Sequence, residues 1–406
     1  MRNRENTKAG CAAALIGLLA VASAQAATVR VETRTGEAIQ EAIDRVAQQG
    51  GGRVVVPAGT YPSGTLQLRS NVDLHLEKGA VVQGPGDGRD LQHFPSSLTK
   101  ASMGRGLVRA WNVTNVTISG EGDFDARGRE CFDTSAADLW GRFFHPRQGA
   151  VRSKIVQMYK CRNVTFRGVG FLNSSEWTMR MRRCEDVLFD GIRVINDLRF
   201  INADGVDVDG CKRMTIRNSR FLTGDDCLAI LATRTSPEGE PIATEDLLVE
   251  NCDLESACQC IRLGCPSEDT IRRAVFRNVR MRGYNGVCFD YSERYLTDFD
   301  EGYADISDIR FENFSGSLEN SALQIVTAPG VKLRGVRNVL FKDCDVMSKE
   351  PPRFVGNVFT PYERIRMENF TFNGERLPDG EVKADCSNNA PLKRVKYVAP
   401  QPRDAK

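Results

Sequence analysis

The chain has 406 residues, with 55 Lys and Arg against 53 Asp and Glu and a formal net charge of +2. That length admits one large domain or two to three ordinary ones. A charge so close to balance gives no support for a nucleic-acid partner.

In chain order, the first 26 residues separate from the rest. Arg2, Arg4 and Lys8 precede the apolar run AALIGLLAVASA, and AQA then offers small residues for cleavage near Ala26. The run is short for a bilayer span and no second one follows, so the segment reads as a secretory signal. Cys11 stands before the run, not at its end where a lipoprotein anchor needs it. The remainder, 27–400, is expected to be one exported domain, secreted or periplasmic, monomeric and not held in a membrane. Without the leader the chain, 27–406, keeps 52 basic and 52 acidic residues.

Next, EAIQEAIDRVAQQGGG places Ala38, Ile39, Ala42, Ile43, Val46 and Ala47 on one helical face and then stops at three glycines. A helix there suits a cap over the open end of a repeating fold, where it prevents edge-to-edge association. GGRVVVPAGTYPSGTLQL and NVDLHLEKGAVVQG follow as the first strands.

A repeat then takes over. The pattern x-V-x-F-x-N recurs as NVTISG (115), NVTFRG (163), DVLFDG (186), RMTIRN (213), DLLVEN (246), RAVFRN (273), DIRFEN (308), NVLFKD (338) and RIRMEN (364). Successive starts lie 48, 23, 27, 33, 27, 35, 30 and 26 residues apart. Apolar and polar residues alternate within each copy, as in a strand with one buried face. With no helical period between copies, the fold class predicted is all-β, a parallel β-helix whose coils stack about 4.8 Å apart. Asn218, Asn251, Asn278, Asn313 and Asn369 then fall at corners, where Asn tolerates left-handed geometry and forms ladders. The NVT and NFS triplets are read in that way, not as glycosylation sites. The 48-residue interval holds DTSAADLWGRFFHPRQG, too polar and aromatic for a coil and expected to be a loop on one flank, with Trp140 and His145 in it. The 12 remaining Cys mostly recur once per repeat, which predicts stacked, buried thiols over a disulfide framework, and CQC and GDDC lack the His of a zinc site.

Within this repeat, FLTGDDCLAI sets Asp225 and Asp226 side by side in an apolar run. Counting back one coil from Asp225 reaches Asp204, and one more reaches Arg180; counting forward reaches Gln259 and then Asp290. The predicted column is therefore Arg180, Asp204, Asp225 with Asp226, Gln259 and Asp290. Clustered carboxylates serve glycosidic hydrolysis, in which one donates a proton to the leaving oxygen and another activates water or attacks the sugar. They equally suit a calcium site or a solvated acidic corner.

The same residues carry a family likeness. NADG at 202–205 and TGDDCLAI one coil on resemble the Asn-Thr-Asp-Gly and Gly-Asp-Asp-Cys motifs of the polygalacturonases, glycoside hydrolase family 28. AIQEAIDRVAQQGGGRVVVPAGTYPSGTLQL and VTISGEGDFDARG extend the resemblance over nearly the whole exported chain. It implies a right-handed β-helix and an inverting, single-displacement hydrolase of a pectic or related polysaccharide. Asp225 would be the general acid, Asp204 and Asp226 would hold and deprotonate water, and Asn202 and Gly205 would shape the corner. No metal or organic cofactor is implied.

Two departures qualify that expectation. Where the family carries Gly-His-Gly this chain has Cys258, Gln259 and Cys260, and its Arg-Ile-Lys is replaced by Cys288, Phe289 and Asp290. The hydrolytic acids stay while the sugar-carboxylate clamp goes, so altered specificity is expected. Arg180 and Arg262 are candidate replacements, Asp290 suits a neutral or cationic sugar, and Trp177, Tyr284, Tyr291 and Tyr295 are candidate stacking rings or core residues. The 125–150 loop is a candidate for closing one end of the groove, which would favour exo-cleavage. A lyase or epimerase on the same fold, or a non-catalytic carbohydrate-binding β-helix, are the alternatives.

Overall fold

A computed structural model describes residues 27–99, 103–136, 138–234, 240–292 and 304–387, without the side chains of 265 and 266. The expected leader and Tyr295 lie outside the described residues. No described helix is long and apolar enough to cross a membrane.

Each repeat opens on a left-handed residue. Asn115, Asn163, Asp186, Arg213, Asp246, Arg273, Asp308, Asn338 and Arg364 all have φ between 52° and 60°. The bend turns the chain, and the V-x-F that follows runs as a strand whose apolar positions point inward. Val116, Val164, Val187, Met214, Leu247, Ala274, Ile309, Val339 and Ile365 stand in one parallel column. Ile118, Phe166, Phe189, Ile216, Val249, Phe276, Phe311, Phe341 and Met367 form the next. Strand spacing sets the ring spacing: Phe276 and Phe341 each stack on Phe311 at 4.9 Å. Burying each such ring contributes about 1.5–3 kcal/mol.

Three parallel sheets make up each coil of what is a right-handed parallel β-helix. The first carries the repeat just described. The second runs through Gly170–Leu172, Arg193–Ile195 and Arg220–Thr223. The third runs through Lys154–Tyr159, Met179–Arg182, Val206–Asp209 and Leu228–Ala232, then residues 261–264 and 287–290. Asn218, Asn251, Asn278 and Asn313 form the expected ladder, each amide donating to the one before at 2.8–3.4 Å. Asn369 donates to Asp343 instead.

The predicted helix is Gly36–Gln48. Thr35 caps it by accepting from the Ala38 amide at 3.2 Å. Its buried Ile39, Ala42, Ile43 and Val46 join the core at the end of the first coils. All described cysteines are free and most are buried; Cys211 Sγ accepts from the Cys184 amide at 3.4 Å, one coil away. The long interval is a flank loop, as expected, in which Phe132–Asp133 pairs antiparallel with His145–Pro146. Phe132 stacks on Phe200 at 4.4 Å and so ties this loop to the corner beside the third sheet.

Candidate active site

The acids sit where the corner leads into the third sheet. Two glycines make that corner possible: a Cβ on Gly205 would lie 2.3 Å from the Cys227 carbonyl oxygen, and one on Gly224 would lie 2.0 Å from that of Phe200. The coils therefore approach as closely as backbone allows. The Gly205 amide donates to the Asp226 carbonyl at 2.8 Å and the Cys227 amide to that of Gln259 at 3.0 Å, which stacks Asp204, Asp226 and Gln259. Trp177 precedes Asp204 in this column, since the Thr178 amide donates to the Asp204 carbonyl at 3.0 Å.

Asp225 is the least buried of the three acids. Its carbonyl is held by Thr223 Oγ1 at 2.6 Å and Ser256 Oγ at 2.7 Å. Oδ1 accepts from the Asp226 amide at 3.0 Å, and Oδ2 from the Asn202 amide at 3.3 Å. Asn202 is itself left-handed, φ 59°, and its Oδ1 accepts from Arg152 at 3.1 Å.

Behind Asp225 the electrostatics favour proton sharing. Asp204 and Asp226, 4 % and 1 % exposed, each leave one carboxylate oxygen without a hydrogen bond. Burial, then the neighbouring acids, pushes the Asp204 carboxyl well above the usual carboxylate range. Burial raises Asp226 as well, against the opposing pull of Arg262, whose Nη1 lies 3.2 Å from Asp226 Oδ2. The Arg262 guanidinium also lies 3.9 Å from Asp290.

Several expected positions need correction. Arg180 stacks on Asp207, not Asp204; it is buried and pairs with Asp209 at 2.6 Å and Asp207 at 3.8 Å. Asp290 lies in the column of Gly264, whereas Gln259 pairs with Asn285. Tyr291 is not a groove residue: it is 3 % exposed and belongs to the core. Its ring lies over Gly264, whose added Cβ would meet it at 2.3 Å. Trp177 is half-buried, with Arg180 and Lys154 each 4.8 Å from its ring. Tyr284 is covered by Arg142 at 3.6 Å.

Sequence reasoning passed over Lys154, Asp207 and Asp209. The last two had a signal in VDVD, whose alternation turns both acids to the face opposite Val206 and Val208. Lys154 had none, because its partner Glu176, 2.8 Å away, is in the following coil.

Asp225, Asp226 and Cys258 bring three potential ligand atoms within 4.8 Å of one another. A thiol among them suits calcium poorly, since that ion takes six to eight oxygens. Burial and the two acids push the Cys258 thiol well above its ordinary range.

The outer face of the third sheet is covered on the N-terminal side of Arg180. Gln157, which pairs with Arg180 in register, is fully buried and donates to the Met103 carbonyl. Lys154 is 1 % exposed and lies against Gly104. Residues 103–106 supply this cover. The 125–150 loop lines the flank: the Phe144 amide donates to the Arg199 carbonyl at 2.9 Å, and Arg142 to that of Ala257 at 2.5 Å.

The family profile described as Glycosyl hydrolases family 28 matches residues 48–237, which include all three acids. A probable polygalacturonase of Vitis vinifera is 26 % identical over 49 % of this chain and 41 % of its own length. An exopolygalacturonase of Platanus acerifolia is 27 % identical over 86 % of this chain and 81 % of its own. Among solved structures, a hyperthermoactive exopolygalacturonase from Thermotoga maritima superposes with TM-score 0.64 at 22 % identity, covering 88 % of this chain and 94 % of that one.

Proposed function

The chain belongs to glycosyl hydrolase family 28, of polygalacturonase type, and from that premise we propose that it hydrolyses glycosidic bonds in a pectic or related polysaccharide after export. The observation that carries this reading is the convergence of Asp204, Asp225 and Asp226 on one corner, two of them buried with unpartnered oxygens. Nothing in the core is served by such an arrangement, which burial and mutual repulsion both disfavour.

In this reading Asp225, the acid nearest the groove, donates its proton to the leaving oxygen. Asp204 and Asp226 hold water on the opposite face of the sugar and take its proton as the bond breaks, inverting the anomeric centre. Their raised affinity for protons suits a shared, coupled site. Arg262 favours the ionised form of Asp226, so one member of the pair remains a base. Arg262 also offsets the charge of Asp290, so that acid is not a bare repulsive group facing a sugar carboxylate. Arg180 keeps Nε and Nη1 without hydrogen bonds and, with Trp177, forms the floor at the closed end.

Closure on the side of Lys154 and Gln157 favours cleavage near a chain end. A groove open at both ends accepts a polymer anywhere; one walled beside Trp177 admits a terminus.

The test is reducing-end release from a panel of pectic, neutral and aminosugar polysaccharides by wild type and Asp225→Asn. Cleavage of pectic material with at least a hundredfold loss in the folded variant is expected. A folded Asp225→Asn enzyme that still turns over removes Asp225 as the acid. Binding without any cleavage by wild type returns the non-catalytic reading.

A further inference from the structure

Trp140 stands out among the described residues. It is the most exposed of their large apolar side chains, at 72 %, and the one aromatic residue among them with left-handed φ, 53°. Gly141 follows at φ 69°. Two successive left-handed residues are the conformation that Asn-Gly or Gly-Gly adopts readily and that an aromatic side chain disfavours. The chain therefore places a large ring in water at a position where both solvation and backbone geometry favour a small polar residue.

The bend that carries it is firmly held. Leu139 and Phe143 exchange backbone hydrogen bonds of 2.7 and 3.0 Å, and the Arg142 amide donates to the Leu139 carbonyl at 3.1 Å. Phe143 is buried and meets the Trp140 ring edge-on at 6.3 Å. Asp138 pairs with Arg199. Arg142 lies over Tyr284 at 3.6 Å and donates to Ala257 at 2.5 Å, and the next residue, Cys258, reaches Asp225 and Asp226. Trp140 thus projects from a hairpin fastened to the rim of the acid corner, on coils beyond the closed end.

We propose that Trp140 is a platform for a sugar ring of the bound polymer, holding the part of the chain that leaves the cleft on the open side. A sugar ring offers a face of C–H groups that packs on an indole, and a rigid aromatic makes that contact at little entropic cost. Arg142 and Arg147 on the same loop would favour an anionic chain. This inference rests on the hydrolase reading above and adds to it a subsite remote from the reacting bond.

The experiment measures binding of galacturonate oligomers and of neutral β-galacto-oligomers, from dimer to octamer, by calorimetry. It uses the Asp225→Asn enzyme, with and without Trp140→Asn or Trp140→Phe, and follows thermal unfolding alongside. Trp140→Asn creates the residue pair that the bend prefers, so its melting temperature is expected to hold or rise. The gain in affinity from short to long oligomers is expected to shrink about three- to tenfold, and Trp140→Phe to restore part of it. Stability up with affinity down is a pairing that a purely structural role does not produce. An unchanged length dependence in Trp140→Asn, with oligomers bound, overturns the platform alone. Failure of both oligomer series to bind, together with no cleavage by wild type, overturns the platform and the hydrolase reading together.

Discussion

Asp207 lies between two kinds of neighbour. Burial pushes its carboxyl up to about 7, with Arg180 and then Lys154 pulling it down and Asp209 and Asp225 pushing it further up. In the unfolded chain an Asp titrates near 4. Between those values the folded protein binds more protons than the unfolded one, so this residue's contribution to stability is complete at low pH and falls as pH rises towards 7. Asp207→Asn removes the dependence. Its melting temperature relative to wild type is expected to climb from about pH 4 to about pH 7 and then level off. A difference that ignores pH would mean that Asp207 is already ionised throughout. Whether such an acid occurs here was partly legible: VDVD announces two side chains on one face, but only burial beside Arg180 sets the protonation of Asp207.

The corner asparagines show how single residues make an element. Asn251 has φ 54°, donates to Asn218 at 3.4 Å and accepts from Asn278 at 3.0 Å. Replacing it by Ala removes two ladder bonds and leaves a residue that tolerates the left-handed conformation less well than Asn, a loss of about 1–3 kcal/mol. Asn251→Gly keeps the backbone freedom and loses only the ladder, so it is expected to unfold at a lower denaturant concentration than wild type and a higher one than Asn251→Ala. Equal midpoints for the two variants would show that backbone conformation contributes nothing at this corner. Both features are local, and for that reason the strands, their alternation and the corners could be placed by inspection. The first residue of every repeat proved to be a left-handed bend. That detail escaped notice because Arg and Asp, as well as Asn, occupy the position.

At the scale of the whole solenoid, the closed end proposed above predicts what the products look like. If the polymer enters end-on, short saccharides appear from the start while viscosity falls slowly; chromatography of early products from polygalacturonate, followed with viscometry, reads both. A rapid fall in viscosity with a broad ladder of products would show that the groove accepts internal bonds and that residues 103–106 do not limit it. The helix Gly36–Gln48 caps the same end further out, covering core that the first coils would otherwise expose.

By itself the sequence determined the repeat, the capping helix, the buried stripes and the pairing of the NADG and TGDD corners, because each depends on contacts within one coil or between adjacent coils of similar length. Tertiary structure alone decided which residues share a column across unequal coils. Intervals of 23 to 35 residues mean that corner lengths vary, and a shift of one residue turns a side chain from one face to the other. That is why Arg180 fell beside Asp207 and not Asp204, why Asp290 came to face Arg262, and why Tyr291 turned into the core. The cover over Lys154 and Gln157 was beyond reach for the same reason: Met103, Gly104 and Gly106 meet them from some fifty residues away, a contact made by three-dimensional packing that no local spacing records.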